Sequence, residues 1–319
     1  MAKIAVYAIC KNEARHAARF MASMSSADGV FILDTGSTDG SPQILRDLGA
    51  VVQKQTITPW RFDTARNLAL AMVPPGYDIC VSCDLDEVFS TGWRQALEET
   101  WQPDTTRMSY PFYYDGSGSF FYRSLIHRRI GYVWAWPIHE TLLPLIPEST
   151  VQCDALALYH LPDPTKSRES YLPQLEEAVR QNPQDSRMVR YLGREYYYRG
   201  MYAQAIDTLS RHTELEHWDA ERAASFREMA RCRWQLGDLD GAEGDYRHAI
   251  EACPDMREGY IELARLCLAR KRYDEGLIHI RKALAIDRPH PTYFNEGWAW
   301  NGLAEQMEQE FLSHSSDHG

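Results

Sequence analysis

At 319 residues the chain has room for two domains, and 44% hydrophobic with 25% charged residues is ordinary for a folded globular protein. A net charge of −11 argues against a nucleic-acid surface built on bulk positive charge. No apolar run is long enough to span a bilayer, a strand-like pattern begins at Ile4 with no secretory signal, and seven scattered cysteines read as reduced thiols, which together point to the cytoplasm.

Residues 4–9 read as a short apolar strand, followed by Cys10-Lys11-Asn12-Glu13 and a helix over 14–24. A second buried strand over 29–33 runs into Asp34-Thr35-Gly36-Ser37-Thr38-Asp39-Gly40, a loop of turn formers and small donors. Ser41-Pro42 opens another helix, with proline in the first turn. Val51-Val52 makes a third strand, and residues 62–72 read as a helix carrying Arg66 and Asn67. The next apolar run, from Ile79, ends in Asp84-Leu85-Asp86-Glu87. Carboxylates this close repel unless a cation or donors lie between them. Asp84 and Asp86 are spaced to share one hard cation that also holds phosphate oxygens. Cys80 and Cys83 have no second pair at zinc spacing and read as core residues.

Strands alternating with helices predict a parallel, doubly wound α/β sheet whose strand-end loops converge on one crevice. Glu13, Asp34, Asp39, Arg66 and Asp84 all fall where such loops meet. Each also has a local reading: Asp39 as a helix N-cap, Glu13 as a first-turn acid, Asp34 as a turn former.

Asn12-Glu13, the loop from Asp34 to Gly40, Ala65-Arg66-Asn67 and Asp84-Leu85-Asp86-Glu87, in that order, resemble the family 2 glycosyltransferases of GT-A fold. The resemblance covers roughly residues 1–160 and implies a GT-A domain over 1–162, a Rossmann-like mixed sheet that binds a nucleotide-sugar. It implies that Glu13 and Asp34 face the base and that Arg66 lies near the nucleotide. Asn12, Asp39 and Asn67 join them in the donor site. Asp86 would ligate Mn2+ or Mg2+ directly, and Asp84 would reach the ribose or a metal-bound water. The chain has no G-x-x-x-x-G-K-[ST] loop, so the metal is the expected counter-charge for the diphosphate.

Residues 107–114 and 120–127 read as an aromatic-rich hairpin around Asp115-Gly116-Ser117-Gly118. The aromatic stretch at 131–138 suits a sugar or acceptor platform, or core. Ile138-His139-Glu140 is similar to a tripeptide of related enzymes that carry tetratricopeptide repeats. An inverting displacement needs a carboxylate to take the acceptor proton. Glu140 is the candidate base, His139 a candidate metal or diphosphate ligand, and His160 an alternative that completes the metal's coordination.

Beyond Pro162-Asp163-Pro164 the pattern is purely helical, which sets a second domain over 163–319. Leu192-Gly193, Met229-Ala230 and Leu263-Ala264 head three similar segments, 37 and 34 residues apart, that resemble tetratricopeptide repeats. Residues 171–181 read as the second helix of an incomplete leading repeat, and 293–311 as a cap. Such a stack offers a concave groove for an extended peptide or a partner subunit, including a second copy of the chain. The fold class expected is therefore an α/β GT-A domain followed by an all-α tetratricopeptide solenoid. The function expected is a metal-dependent, inverting glycosyltransferase that moves a sugar from a UDP-type nucleotide-sugar donor to an acceptor such as a polypeptide. The alternative is a repeat-based binding or scaffold protein whose nucleotide fold is degenerate.

Overall fold

The run IAVYAIC forms β1 (Ile4–Cys10), whose side chains alternate between two apolar layers. Ile4, Val6 and Ala8 join one layer, which also holds Phe20 of α1 (Ala14–Ser23). Ala5 and Tyr7 join the other. The computed structural model describes residues 2–114, 120–161 and 171–316, and divides into the units Met1–Arg168 and Glu169–Gly319. The hairpin tip at Asp115-Gly116-Ser117-Gly118 and the boundary at Pro162-Asp163-Pro164 lie outside the described residues.

In the first unit β2 (Gly29–Asp34), α2 (Ser41–Asp47), β3 (Val51–Lys54), α3 (Phe62–Ala71) and β4 (Ile79–Ser82) follow in order. The strands β3, β2, β1 and β4 lie side by side and parallel. Helices α1 and α2 cover one face through Phe20, Met21 and Leu45, and α3 covers the other through Ala65, Ala69 and Leu70. Cys80 and Cys83 fall in opposite layers, each buried and outside any disulfide. Strand β4 ends at Ser82, so Asp84 and Asp86 occupy the turn that leads to β5 (Glu87–Phe89). After α4 (Trp93–Thr100) come β6 (Arg107–Tyr113), β7 (Phe120–Arg128), β8 (Tyr132–Ala135), β9 (Thr141–Pro144), β10 (Thr150–Gln152) and β11 (Leu158–His160).

The sheet is mixed rather than wholly parallel, in the order β3-β2-β1-β4-β7-β6-β11-β5, with β10 also on β6. Consecutive strands β6 and β7 pair antiparallel, and β7 sets its other edge antiparallel against β4. Strands β8 and β9 form a separate ribbon whose Tyr132, Trp134 and Leu142 pack on the α3 side. A buried chain of hydrogen bonds holds this ribbon down. Trp134 Nε1 donates to Tyr7 Oη at 2.9 Å, and Tyr7 Oη lies 2.9 Å from His127 Nε2. His127 Nδ1 is 2.7 Å from the Arg128 carbonyl, which can only accept. The proton therefore sits on Nδ1, and Nε2 accepts from Tyr7.

The second unit is helical: α5 (Tyr171–Gln181), α6 (Ser186–Tyr198), α7 (Tyr202–Leu215), α8 (Asp219–Gln235), α9 (Leu239–Ala252), α10 (Arg257–Ala269), α11 (Tyr273–Leu284) and α12 (Leu303–Ser316). Asp185 caps α6 by accepting from Met188 N at 3.1 Å, and Asp238 caps α9 by accepting from Gly241 N at 2.9 Å. Small residues mark the close approaches. Gly193 of α6 faces Leu209 of α7, and Gly276 of α11 faces the Phe311 ring of α12. The cap expected over 293–311 is helical only from Leu303; before it, residues 285–302 are irregular apart from a 3-10 turn, Gly297–Trp300. Pro289, Pro291 and Gly297 explain the late start, because none sustains a helix.

Two outcomes follow for stability. Gly276→Ala gains about 1 kcal/mol in helix propensity, but its Cβ would fall on the fully buried Phe311 ring. The clash costs about 1–3 kcal/mol, so urea unfolding is expected at a lower midpoint, and a raised midpoint would contradict the packing. Burial pushes His127 down to about 4 from 6.5. Below pH 6.5 the unfolded chain gains a proton that the folded chain refuses, so stability is complete above that pH and is lost as pH falls toward 4. Between pH 7 and 4.5 the wild type should lose more stability than His127→Gln, with equal losses counting against a buried neutral imidazole.

Candidate functional site

The chain winds outward from β1 to β2 and β3, then returns to the other side of β1 as β4. Open α/β sheets bind ligands beyond the carboxyl ends of their strands at such a reversal. Residues 11–13, 34–40 and 83–86 leave the carboxyl ends of β1, β2 and β4, which are adjacent in the sheet. The sequence-expected residues Asn12, Glu13, Asp34, Asp39, Asp84 and Asp86 thus share one end of the sheet.

The first two loops are stitched by the polar side chains expected to meet a nucleotide. Asn12 adopts φ 59°, donates its N–H to Ser37 Oγ at 2.9 Å, and accepts from Thr38 N through Oδ1 at 2.7 Å. Asp34 is fully buried and accepts from Ser37 N at 3.1 Å. Asp39 accepts from Ser41 N at 3.0 Å and Ala14 N at 3.2 Å, while Ser41 Oγ accepts from Glu13 N at 2.7 Å. Slight burial works to raise the Asp39 carboxyl, but the Ser41 and Ala14 donors outweigh it and hold the group below its usual value. Asn67, expected in the donor site, has an amide that exchanges two hydrogen bonds with the backbone of Trp134, at 2.8 and 2.9 Å, and so straps the β8–β9 ribbon to α3.

The three clustered acids diverge, each to its own basic partner. Asp84 lies 3.0 Å from Arg66 Nη2 of α3. Arg66 Nε donates to Glu140 Oε1 at 2.5 Å, so one guanidinium joins the acidic turn to the segment between β8 and β9. Burial alone would lower the Arg66 pKa; Asp84 and Glu140 more than reverse this. The guanidinium also lies 4.9 Å from the Trp134 ring. Asp86 Oδ2 sits 3.4 Å from His160 Nε2, because β11 pairs antiparallel with β5 and registers His160 opposite Glu87. Its hydrogen bond to Asp86 raises His160 above the usual imidazole value, against the lowering by partial burial. Glu87 turns inward to Arg123 of β7. Burial raises the Glu87 carboxyl and Arg123 opposes the rise.

A cavity of about 210 Å³ lies beside this network, lined by Arg66, Arg107, Arg123, Trp134 and Glu140 among others. Arg66 Nη1 is buried with no hydrogen-bond partner among the described residues, so one strong donor of the network is uncommitted. The sequence reading missed Arg123. The signal was a charged residue in the middle of the aromatic strand β7, which needs a buried partner.

A metal seat narrows accordingly. Of Asp84, Asp86, His139 and His160, the structure brings Asp86 and His160 together, while Arg66 engages Asp84 and His139 is half-buried at φ 53°. Among the described residues no three of these four gather their ligand atoms within 4.8 Å. His160 Nδ1 is buried without a hydrogen-bond partner among the described residues. A carboxylate with an imidazole suits Mn2+ better than Mg2+, which favours oxygen ligands.

Replacing Arg66 tests the network. Arg66→Met removes the ion-pair partner that Glu140, 13% exposed, has among the described residues and should cost about 3 kcal/mol. Asp84, at 36%, is screened by water. Adding Glu140→Gln should recover most of the loss in urea unfolding, and a double variant no more stable than the single one would show that the pair does not carry it.

Residues 227–291 match the family described as tetratricopeptide repeat. A TPR repeat-containing protein of Synechococcus elongatus is 31% identical over 107 residues, which is 33% of this chain and 26% of that protein. The chain thus spans about a quarter of the length of the curated relative it matches. Among solved structures, the crystal structure of MamA aligns with a TM-score of 0.35 at 15% identity, over 47% of this chain and 90% of that one. The Yersinia enterocolitica type III secretion chaperone SycD, in complex with a peptide of the translocator YopD, aligns with a TM-score of 0.35 at 17% identity, over 40% and 93%. The matched family lies wholly within the second unit, and this chain carries a tetratricopeptide repeat segment there.

Proposed function

We propose that the chain joins two working parts: a repeat unit that binds an extended polypeptide, and an α/β unit that transfers a glycosyl group to it from a nucleotide-sugar of UDP type. The repeat match supports the first part. The second rests on the α/β unit's own residues, and one observation carries it: the acidic turn after β4 stands at the sheet reversal, with Asp86 against His160 and Arg66 between Asp84 and Glu140.

In this reading Asp86 and His160 hold a divalent cation, which supplies positive charge to the leaving diphosphate. Arg66 offers Nη1 to the same oxygens and fixes the orientation of Glu140. Glu140 takes the proton from an acceptor hydroxyl, amide or thiol. The Asn12 and Asp39 loops, tied to each other by Ser37, Thr38 and Ser41, form a fixed wall for the base and ribose with Glu13 and Asp34.

A second reading is favoured by two findings: the matched family is that of the repeats, and Asp84 and Glu140 are both already paired with Arg66. The chain is then a binding or scaffold protein, with a second copy of itself among its partners, and the α/β unit has lost its chemistry.

Thermal unfolding with UDP-, GDP- and dTDP-sugars, with and without Mn2+, separates the two. A true donor at a hundredfold excess over Kd adds about 2.7 kcal/mol. Asp86→Ala should lose the Mn2+-dependent part of that gain and all sugar transfer while melting normally without ligand. A melt that no nucleotide-sugar shifts, in a protein that still binds peptides, would establish the scaffold reading.

A further inference from the structure

The first helix of each repeat pair carries charged residues four apart: Arg190 and Arg194 on α6, Arg227 and Arg231 on α8, Glu258 and Glu262 on α10. Spacing of four keeps each pair on one helix face. The irregular residues 293–298, between α11 and α12, lie along these faces as a bound peptide would. The Phe294 carbonyl accepts from Arg227 Nη2 at 3.1 Å, and Glu296 N donates to Glu258 Oε1 at 2.8 Å. These two bonds hold backbone and do not depend on side-chain identity. The Glu296 carboxylate accepts from Arg231 Nη2 at 2.6 Å and from Arg227 Nη2 at 3.3 Å. The Tyr293 and Phe294 rings pack on Trp218 at 5.4 and 5.2 Å.

The receiving face holds ion pairs of its own besides this segment. Arg231 keeps Glu262 at 2.6 Å, and Arg227 keeps Glu258 at 3.6 Å. Withdrawal of residues 293–298 gives up the hydrogen bonds of Arg227 Nη2 and Glu258 Oε1 to the segment. It leaves each arginine a carboxylate within 3.6 Å, which lowers the cost of breaking a buried ion pair. The groove also extends past the segment. Cavities of about 720 and 390 Å³ share Tyr197, Arg231 and Glu296 in their linings. Glu262, nearly fully buried in the lining of the larger one, has an Oε2 with no hydrogen-bond partner among the described residues.

We propose that residues 293–298 are a built-in ligand of the repeat unit's groove, and that the external partner is an extended polypeptide with an aromatic residue two positions before a carboxylate. This rests on the reading of the repeat unit as a polypeptide binder and names what it reads. Arg227 and Glu258 take the partner's backbone, Arg231 its carboxylate and Trp218 its ring, while Glu262 Oε2 awaits a donor from a longer chain. The internal copy competes with the partner and so sets a threshold for binding.

The test uses a fluorescein-labelled peptide of residues 290–301 and the full chain, read by anisotropy. Glu296→Gln weakens the internal copy, so the peptide should bind that variant at least about tenfold more tightly than the wild type. Adding Arg231→Ala should abolish the gain. Excess peptide should also speed amide exchange over residues 292–300 of the unsubstituted protein, a readout that survives if Glu296→Gln folds poorly. Equal affinity for wild type and Glu296→Gln, with unchanged exchange, overturns the built-in ligand but leaves the groove a binder. No binding of this peptide or of a panel of extended peptides to either form overturns both this inference and the binding reading, whatever the nucleotide-sugar melts show.

Discussion

Three carboxylates within four residues cannot share one turn without counter-charge, and this constraint organises the α/β unit. The fold answers by giving each acid a basic side chain from a different element: Arg66 from α3, His160 from β11 and Arg123 from β7. Those partners fix where α3 sits over the sheet, why the short strand β5 pairs antiparallel with β11, and why a charged residue interrupts β7. Arg66 reaches furthest, because Glu140 and the Trp134 ring close around it and dock the β8–β9 ribbon. An arrangement made for folding alone is better served by apolar replacements, since buried ion pairs seldom add net stability. Acids, arginines and a histidine kept together at a sheet reversal are what the proposed site would require.

The repeat unit solves a different problem. Its stacked helices bury small residues at close approaches, as Gly276 under Phe311 illustrates. The faces of α6, α8 and α10 carry charged residues in ion pairs, and those of α8 also hold Glu296. Both units thus place ion pairs at polar surfaces, and on the proposed reading one set poises a crevice and the other reads a chain.

Much of this was legible in the residues. Alternation of apolar runs with helical periodicity gave β1 to β4 nearly to the residue, and the repeat heads at Leu192, Met229 and Leu263 fall where helices pack. The acidic turn, Arg66, Glu140 and His160 were recognisable as chemistry, because charged residues at strand ends need a reason. Their pairing was not legible. Nothing local shows that Arg66 takes both Asp84 and Glu140, 18 and 74 residues away, since that depends on how the ribbon folds back. The partner of Asn67 was hidden for the same reason: it is the Trp134 backbone. The three-residue strands β5, β10 and β11 were too short for any period to declare them. The irregular start of the cap was not legible, because residues 292–296 bond to the faces of α8 and α10 as well as to one another.

The claim on which the account turns is that the crevice beyond β1 and β4 takes a nucleotide diphosphate with a divalent cation. Electron paramagnetic resonance of Mn2+ titrated into the protein addresses this directly. With UDP present, the free-ion spectrum should fall by one equivalent per chain, beyond what UDP alone removes, and Asp86→Ala should restore it. A spectrum that matches free or UDP-bound Mn2+ at every protein concentration would contradict the account and leave the repeat groove as the seat of function.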